Sequence, residues 1–428
     1  MFKFIVLFVI IFFSFKSFSI DVDETIESTV QNNPKVKIGL EKLIESKEFI
    51  ESAYGGKLPT ITSTITGTYS NAESQTTTST TTPETFTDKY KLSITQNLFD
   101  AGYNDLEIDR SKILFDNEVI NFKIIIQDLI LDAITGYLTV INYEKSLEAT
   151  EKNFESVSKA LEITKTKFDL GSSTLYDLQK AESFSAIASA NLFAAEQNVE
   201  ISKKSFQTIA GLEPVNLEDV IDIESSITLS SVLKTAMNNN LILKLLINDT
   251  KNKEILLLKE KKTKQPNIDI VGSAEYSDGG RIDDGTETTK GSVALTLTIP
   301  IYQQGIKNSN IRKYQSQILQ AELNFEDYKE DLKILISNAY KDFKISEAKM
   351  NSNSAVIQAS QTALESLKQE YDFGTKTITD LIEEEGNLLL SSVDYLDSKK
   401  NYLINYFKIK SLEGTLLNTF ENYLPVIN

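Results

Sequence analysis

Residues 60–69 read TITSTITGTY and residues 90–98 read YKLSITQNL. In an extended chain successive side chains point to opposite faces, so Thr60, Thr62, Thr64, Thr66 and Thr68 share one side while Ile61, Ile65 and Tyr69 share the other. Tyr90, Leu92, Ile94 and Leu98 likewise oppose Lys91, Ser93, Thr95 and Asn97. The second half of the chain repeats the pattern. Ile268, Ile270, Gly272, Ala274 and Tyr276 oppose Asn267, Asp269, Ser273 and Glu275, and Val293, Leu295, Leu297, Ile299 and Ile301 oppose Ser292, Thr296 and Thr298. Four amphipathic strands of about ten residues have the length and period of a transmembrane barrel strand. A soluble sandwich gives the same alternation, but here the polar faces are small and hydroxylated. The connections, 71–87 (NAESQTTTSTTTPETFT) and 277–290 (SDGGRIDDGTETTK), read as hydrophilic turn-rich loops suited to the cell exterior. Four strands cannot close a barrel and open edges are not tolerated in lipid, so several chains must share one.

Outward from the strands the chain is helical. None of its seven prolines lies between Ala101 and Glu213 or between Ile301 and Leu424, which permits long helices there. Tyr143, Leu147, Thr150, Phe154, Val157, Leu161, Thr164 and Phe168 recur at steps of four and three, a coiled-coil seam. Leu381/Ile382, Leu388/Leu389, Tyr395/Leu396 and Tyr402/Leu403 repeat it near the C-terminus. The small residues Ala181, Ala188, Ala195 and Ser202 form a further seam that admits close helix approach. A helix from Tyr103 to Phe168 at ~1.5 Å per residue is roughly 100 Å long. It ends at Gly171, and its counterpart ends at Gly374, each suited to a left-handed cap before the next helix. Helix periodicity alone fits a fibrous spacer equally well; the strands decide against it.

The two halves correspond in detail. TIESTVQNNPKV at 25–36 is echoed by VLKTAMNNNLIL at 232–243, and Pro59 by Pro266, 207 residues on. NLFDAG ending at Gly102 matches IPIYQQG ending at Gly305, and FDLGSSTLYDL around Gly171 matches YDFGTKTITDL around Gly374, both with an offset of 203. Four ordered pairs, with an offset that changes only across a loop, imply duplication. The expected organisation is a leader at 1–19 and a first repeat at 20–220, with β-hairpin 59–99 and helical hairpin 103–210. A second repeat follows at 221–428, with β-hairpin 266–302 and helical hairpin 306–420.

Met1 and Lys3 precede an apolar run from Phe4 to Phe15, and Ser17-Phe18-Ser19 supplies small residues for signal-peptidase cleavage before Ile20. The run is shorter than the ~20 residues a spanning helix needs. The 428-residue chain carries a net charge of −17, which argues against nucleic acid as a partner. It has no cysteine and no histidine. Disulfides, thiolate metal sites, the thiol nucleophile and the usual neutral-pH general base are therefore excluded, and most enzyme classes with them.

Together these features resemble the TolC family of outer-membrane efflux and type I secretion channels. The resemblance covers essentially the whole mature chain: the two-fold repeat, the strand pairs after each lysine-to-proline step, the NLFDAG-like strand ends and AGLEP at Ala210–Pro214. Its most specific block is YDFGTKTITDLIEEEGNLLL at 371–390, followed by NYLINYFKIKSLEGTL at 401–416. The resemblance implies a mainly helical fold with a membrane β-barrel portion. Each subunit of a homotrimer gives four strands to a twelve-stranded barrel, which continues as a tunnel of helical hairpins across the periplasm. It implies an outer-membrane location, partnership with a periplasmic adaptor (membrane fusion) protein and an inner-membrane pump, and no cofactor.

The resemblance further implies a periplasmic entrance closed by an acidic ring and inter-helix bonds near the second glycine turn. Matched position by position, Tyr371, Lys376, Asp380 and Glu383 stand there, with Asp177 at the first-repeat position. Lys376 replaces the arginine of the best-known members and Glu383 their aspartate. Lysine lacks the bidentate fork, so a latch built on it is expected to be weaker. The chain also ends soon after Leu417, without the longer tail of some members. On the residues alone, Asp380 and Glu383 are two solvated carboxylates on one face beside a helix N-terminus, where the dipole favours them. Under threefold symmetry they become six carboxylates around one opening, which attracts cations. Two other function classes stand beside the passive export duct. One is an exported coiled-coil structural or surface filament protein; the other is a hydrolase using paired carboxylates, for which the pattern offers no compact pocket.

Overall fold

The computed structural model describes residues 20–71, 74–75, 80–81, 84–219, 221, 223, 227–281 and 284–423. The expected leader at 1–19 lies outside them. In chain order the elements are α1 (Val22–Asn32), α2 (Pro34–Gly55), β1 (Thr60–Asn71), β2 (Ser74–Gln75), β3 (Thr80–Thr81), β4 (Glu84–Phe99), α3 (Tyr103–Asp169) and α4 (Leu175–Ala210). They continue with α5 (Leu229–Asn239), α6 (Leu241–Lys262), β5 (Asn267–Arg281), β6 (Asp284–Thr298), α7 (Ile306–Asp372), α8 (Ile378–Glu413) and α9 (Leu416–Thr419), then a 3-10 turn at Glu421–Tyr423.

The duplication is written into the backbone. α1 and α5 each have 11 residues, α2 and α6 have 22, α3 and α7 have 67, and α4 and α8 have 36. The six described glycines with positive φ fall into three pairs 203 residues apart, Gly102/Gly305, Gly171/Gly374 and Gly211/Gly414; of the three non-glycine residues with positive φ, Ala101 and Gln304 also pair at 203, and Asn216 does not. A left-handed residue ends each long helix or reverses the chain before one.

The chain divides into two compact units, each drawing on both repeats. The first comprises residues up to 38, 123–240 and 330 onward. Its core includes Tyr137, Val140, Ile141, Phe206 and Ala210, with Val22 and Leu217 packed against them. The Tyr137 hydroxyl lies 3.0 Å from the carbonyl of Ile20 and 2.8 Å from that of Glu218, and Ile20 forms a parallel bridge with Leu217. Burial, helped by the nearby carboxylates of Asp21, Glu218 and Asp219 and opposed by the hydrogen bond to the Glu218 carbonyl, holds the Tyr137 phenol well above its ordinary pKa, so it stays a neutral donor. α1 is tied to α4 by Ser28 donating to the Ala210 carbonyl (2.7 Å), as α5 is tied to α8 by Asn240 donating to the Leu412 carbonyl (3.0 Å). Asp219 receives both Lys145 and Lys399. Burial alone would raise its pKa, but hydrogen bonds from the two ammoniums reverse this and hold it below the usual range.

The buried face of α3 is rotated slightly from the expected seam. Ser146, Thr150, Asn153, Val157, Ala160 and Thr164 are buried, while Phe154 and Leu161 are half-buried beside them. Helices approach closest where side chains are smallest, so the small residues take the centre and the large ones flank it. Of the expected small-residue seam, Ala181, Ala188 and Ser202 are buried and Ala195 is half-buried. α3 also contains, among the described residues, the one window long and apolar enough to cross a membrane, but more than half of it is buried inside the protein. Ile126, Leu129, Ile130, Ala133 and Ile134 are core residues.

The second unit comprises residues 39–122 and 241–329. Its centre is a four-stranded antiparallel sheet in the order β1-β4-β5-β6, with β2 and β3 forming a small separate ladder. The register pairs Ile61 with Ile94, Ile65 with Tyr90, Tyr90 with Tyr276, and Ile268 with Leu297. The apolar residues of all four strands therefore share one face. The strands outrun the alternating segments: β5 and β6 pair through Arg281 and Asp284, deep in what the sequence presented as a loop. Backbone ladders do not require apolar side chains, and the threonines there suit extended backbone. At the other end β6 stops at Thr298, so Ile299 and Ile301 are not strand residues. Pro300 lies between them and has no N–H to donate.

Candidate functional site

The two hairpin turns of the first unit have the same construction. At the end of α3 the Gly171 N–H donates to the Phe168 carbonyl (2.9 Å) and the Ser172 N–H to Lys167 (2.8 Å). At the end of α7 the Gly374 N–H donates to Tyr371 (2.9 Å) and the Thr375 N–H to Glu370 (3.0 Å). Both are Schellman closures with glycine in the left-handed conformation, φ 73° and 76°. Neither glycine has a neighbour within 4 Å of where a Cβ would stand, so backbone conformation alone demands it.

The next helices start with reciprocal capping boxes. Thr174 Oγ1 accepts from the Asp177 N–H (3.1 Å) while Asp177 Oδ2 accepts from the Thr174 N–H (3.2 Å). Thr377 and Asp380 repeat this at 3.2 and 2.9 Å. Two of the expected entrance carboxylates thus cap their own helices. Hydrogen bonds from Thr174, its hydroxyl foremost, lower the Asp177 pKa, and those from Thr377, its N–H foremost, lower that of Asp380. A depressed carboxylate pKa contributes stability in full above the ordinary value near 3.8, and that contribution is lost as pH falls through the folded value. The turns should therefore loosen below about pH 4. We expect the Asp177→Asn/Asp380→Asn protein to show a smaller drop in unfolding midpoint between about pH 5 and 2 than the parent; an equal drop removes the caps from the explanation.

The remaining expected residues divide. Glu383 Oε1 accepts from Lys180 Nζ at 2.6 Å, which ties α8 to α4. The Tyr371 hydroxyl accepts from Lys167 Nζ at 3.0 Å, and that ammonium also stands 5.0 Å from the Tyr371 ring centre, tying α7 to α3. Lys376 has no ion-pair partner among the described residues and acts on Asp380 through its field. Lys368 pairs with Glu385 at 3.0 Å between α7 and α8. The lysines that make the inter-hairpin ties, Lys167 and Lys180, were missed in the sequence. Duplication carried the signal: Lys180 stands 203 residues before Glu383, so one ancestral position carries opposite charges in the two repeats. Beneath these ties Val157, Ala160, Ala181, Ala188, Ile378 and Ile382 pack together, flanked by Phe154, Leu161, Phe184, Tyr371 and Leu381. At the turns themselves Leu170 and Phe373 are 77% and 84% exposed, again 203 residues apart.

The sequence profile of a family described as "Outer membrane efflux protein" matches residues 25–212. The outer membrane protein TolC of Escherichia coli (strain K12) is 24% identical over 344 residues, covering 76% of this chain and 69% of that one. The outer membrane efflux protein BepC of Brucella suis biovar 1 (strain 1330) is 22% identical, covering 76% and 72%. Among solved structures, the Campylobacter jejuni CmeC outer membrane channel superposes with a TM-score of 0.76 at 16% identity, covering 95% of this chain and 90% of that one. The duplicated hairpins, the sheet with one apolar face and these likenesses agree: the chain has the fold of the solved outer-membrane channels and is similar in sequence to outer-membrane efflux proteins such as TolC and BepC.

Proposed function

We propose that three copies of this chain close a twelve-stranded barrel in the outer membrane and continue it as a helical tunnel, a passive non-enzymatic exit duct for small molecules, secreted proteins or both. The observation that carries this is the four-stranded sheet. Its apolar face bears Ile61, Ile65, Val293, Leu295 and Leu297, all more than half exposed, and its outer strands β1 and β6 have unpaired edges. Lipid solvates such a face and neighbouring copies pair such edges. The leader at 1–19 would be removed before Ile20, leaving the two repeats, 20–220 and 221–428, as the mature subunit. A periplasmic adaptor and an inner-membrane pump would complete the exporter, with Leu170, Leu175, Tyr176 and Phe373 as exposed apolar contacts at the hairpin tips. The purified protein in a planar bilayer, with its oligomeric mass determined in parallel, should give trimers with small currents; a soluble protein without conductance overturns the reading.

The closed entrance is proposed to rest on Tyr371 and Glu383, held by Lys167 and Lys180, with Asp177, Asp380 and Lys376 fixing the turns beside them. Each exposed tie is weak alone, but threefold repetition multiplies its effect on opening. Tyr371→Phe/Glu383→Gln should raise single-channel conductance roughly two- to tenfold, whereas Lys376→Ala should raise it less. Equal conductance of parent and double variant would remove the latch.

A further inference from the structure

The polar face of the sheet is lined mainly by hydroxyls, and its lysines gather in one belt. Lys91, Glu275 and Lys290 stand side by side in one cross-strand row, and Lys89 lies in the adjoining row. Lys89 Nζ is 3.2 Å from Glu275 Oε1. On one side of the belt the next row is Thr62, Ser93, Ser273 and Ser292, joined by hydroxyl hydrogen bonds of 2.7 Å (Thr62 with Ser93) and 2.9 Å (Ser273 with Ser292). The next carboxylate on this face in that direction, Asp269, lies three rows away and accepts from Asn97 at 2.9 Å. Three lysines around one glutamate leave the belt at +2 per chain, in a protein whose net charge is −17.

The opposite face at this height carries Ile65, Tyr90 and Tyr276, with the tyrosine rings 6.2 Å apart. Such an aromatic row marks the edge of a membrane-facing band. The carboxylates of the row beyond it, Asp88, Asp278 and Glu287, belong to that outer face and not to the belt. The lysine belt thus faces the lumen.

We infer that Lys89, Lys91 and Lys290 form a cationic collar inside the barrel, which binds small polyanions and favours anionic over cationic cargo at the exit. The inference rests on the channel reading above. Three chains bring the collar to +6 across one water-filled pore. Low-dielectric walls focus the field of such a ring, and an ion within a Debye length of it is captured or repelled.

The test is block of single-channel current by hexacyanoferrate(II), a tetravalent anion, added on the barrel side of a planar bilayer. Reversible block is expected, weakening as salt is raised. In Lys89→Gln/Lys91→Gln/Lys290→Gln channels the blocking concentration should rise at least about tenfold, and in Glu275→Gln channels, where only the counter-charge is removed, it should fall. Parent channels that conduct without being blocked, or block unchanged by both variants, overturn the collar. Absence of any channel from the parent protein overturns the channel reading instead. Should the triple variant fail to assemble, Glu275→Gln still decides through the sign of its effect.

Discussion

Gly414→Ala should largely prevent the proposed trimer from surviving purification, while Gly211→Ala, its counterpart in the first repeat, should leave it assembled. Both glycines close a 36-residue helix in the left-handed conformation, with φ of 72° and 70°. The conformational cost of a Cβ is thus the same at both, about 1 kcal/mol. Their surroundings differ. A Cβ on Gly211 would meet Asn32 Cβ at 3.5 Å, an ordinary contact. A Cβ on Gly414 would collide with the Asn239 carbonyl, 2.8 Å from its carbon, and stand 3.2 Å from Asn240 Cα. Those are backbone atoms at the end of α5, held by the Asn240 side chain donating to Leu412, so neither partner can move aside cheaply. Overpacking of this kind adds about 1–3 kcal/mol to the conformational term, in each of three subunits. Thermal dissociation of the detergent-extracted trimer, followed by mass, measures the difference. If the two substitutions lowered the midpoint equally, close packing at Gly414 would not be what requires glycine there.

The sequence made the repeat, the four strands, the long helices and both hairpin glycines legible because each rests on a local rule: alternation, absence of proline, or a left-handed turn at the end of a periodic run. The contacts around the proposed entrance were only half legible. Its turn motif named Tyr371, Asp380 and Glu383, but a motif does not say where a side chain is spent. Asp380 is turned back on the Thr377 N–H of its own helix, and the tie to the first repeat is made by Lys180 on Glu383. Spacing along one helix cannot reveal a partner on another; the 203-residue offset could have, by placing Lys180 and Glu383 at one ancestral position. The seam of α3 was legible in part: Thr150, Val157 and Thr164 are buried as the spacing implies, but Ser146, Asn153 and Ala160 are buried with them while Phe154 and Leu161 are half-buried at the flank. Strand ends were obscured because a backbone ladder extends through Thr286–Lys290 without any apolar signal.

Leu295→Lys and Thr296→Lys, one residue apart, should behave oppositely. Leu295 is 69% exposed in the middle of the apolar run of β6 and stands beside Ile270 in register. Thr296 is on the other face, directly opposite Asp269. If the apolar face meets lipid, a lysine at 295 costs about 2–4 kcal/mol per chain near the bilayer midplane, and threefold symmetry turns that into roughly 6–12 kcal/mol per barrel. That is comparable to the whole stability of a typical domain, so the variant should be lost from the outer-membrane fraction and recovered as monomer or degraded. A lysine at 296 faces water and gains a carboxylate neighbour, so trimer yield should match that of the parent. Cross-strand pairs of opposite charge are mildly stabilising, and nothing in that row has to be desolvated. Membrane fractionation and the oligomeric mass of the extract read both outcomes. Wild-type levels of membrane-inserted Leu295→Lys trimer would mean that the isoleucines, leucines and tyrosines of this face are covered by protein, and the assignment of lumen and lipid faces would have to be reversed or abandoned.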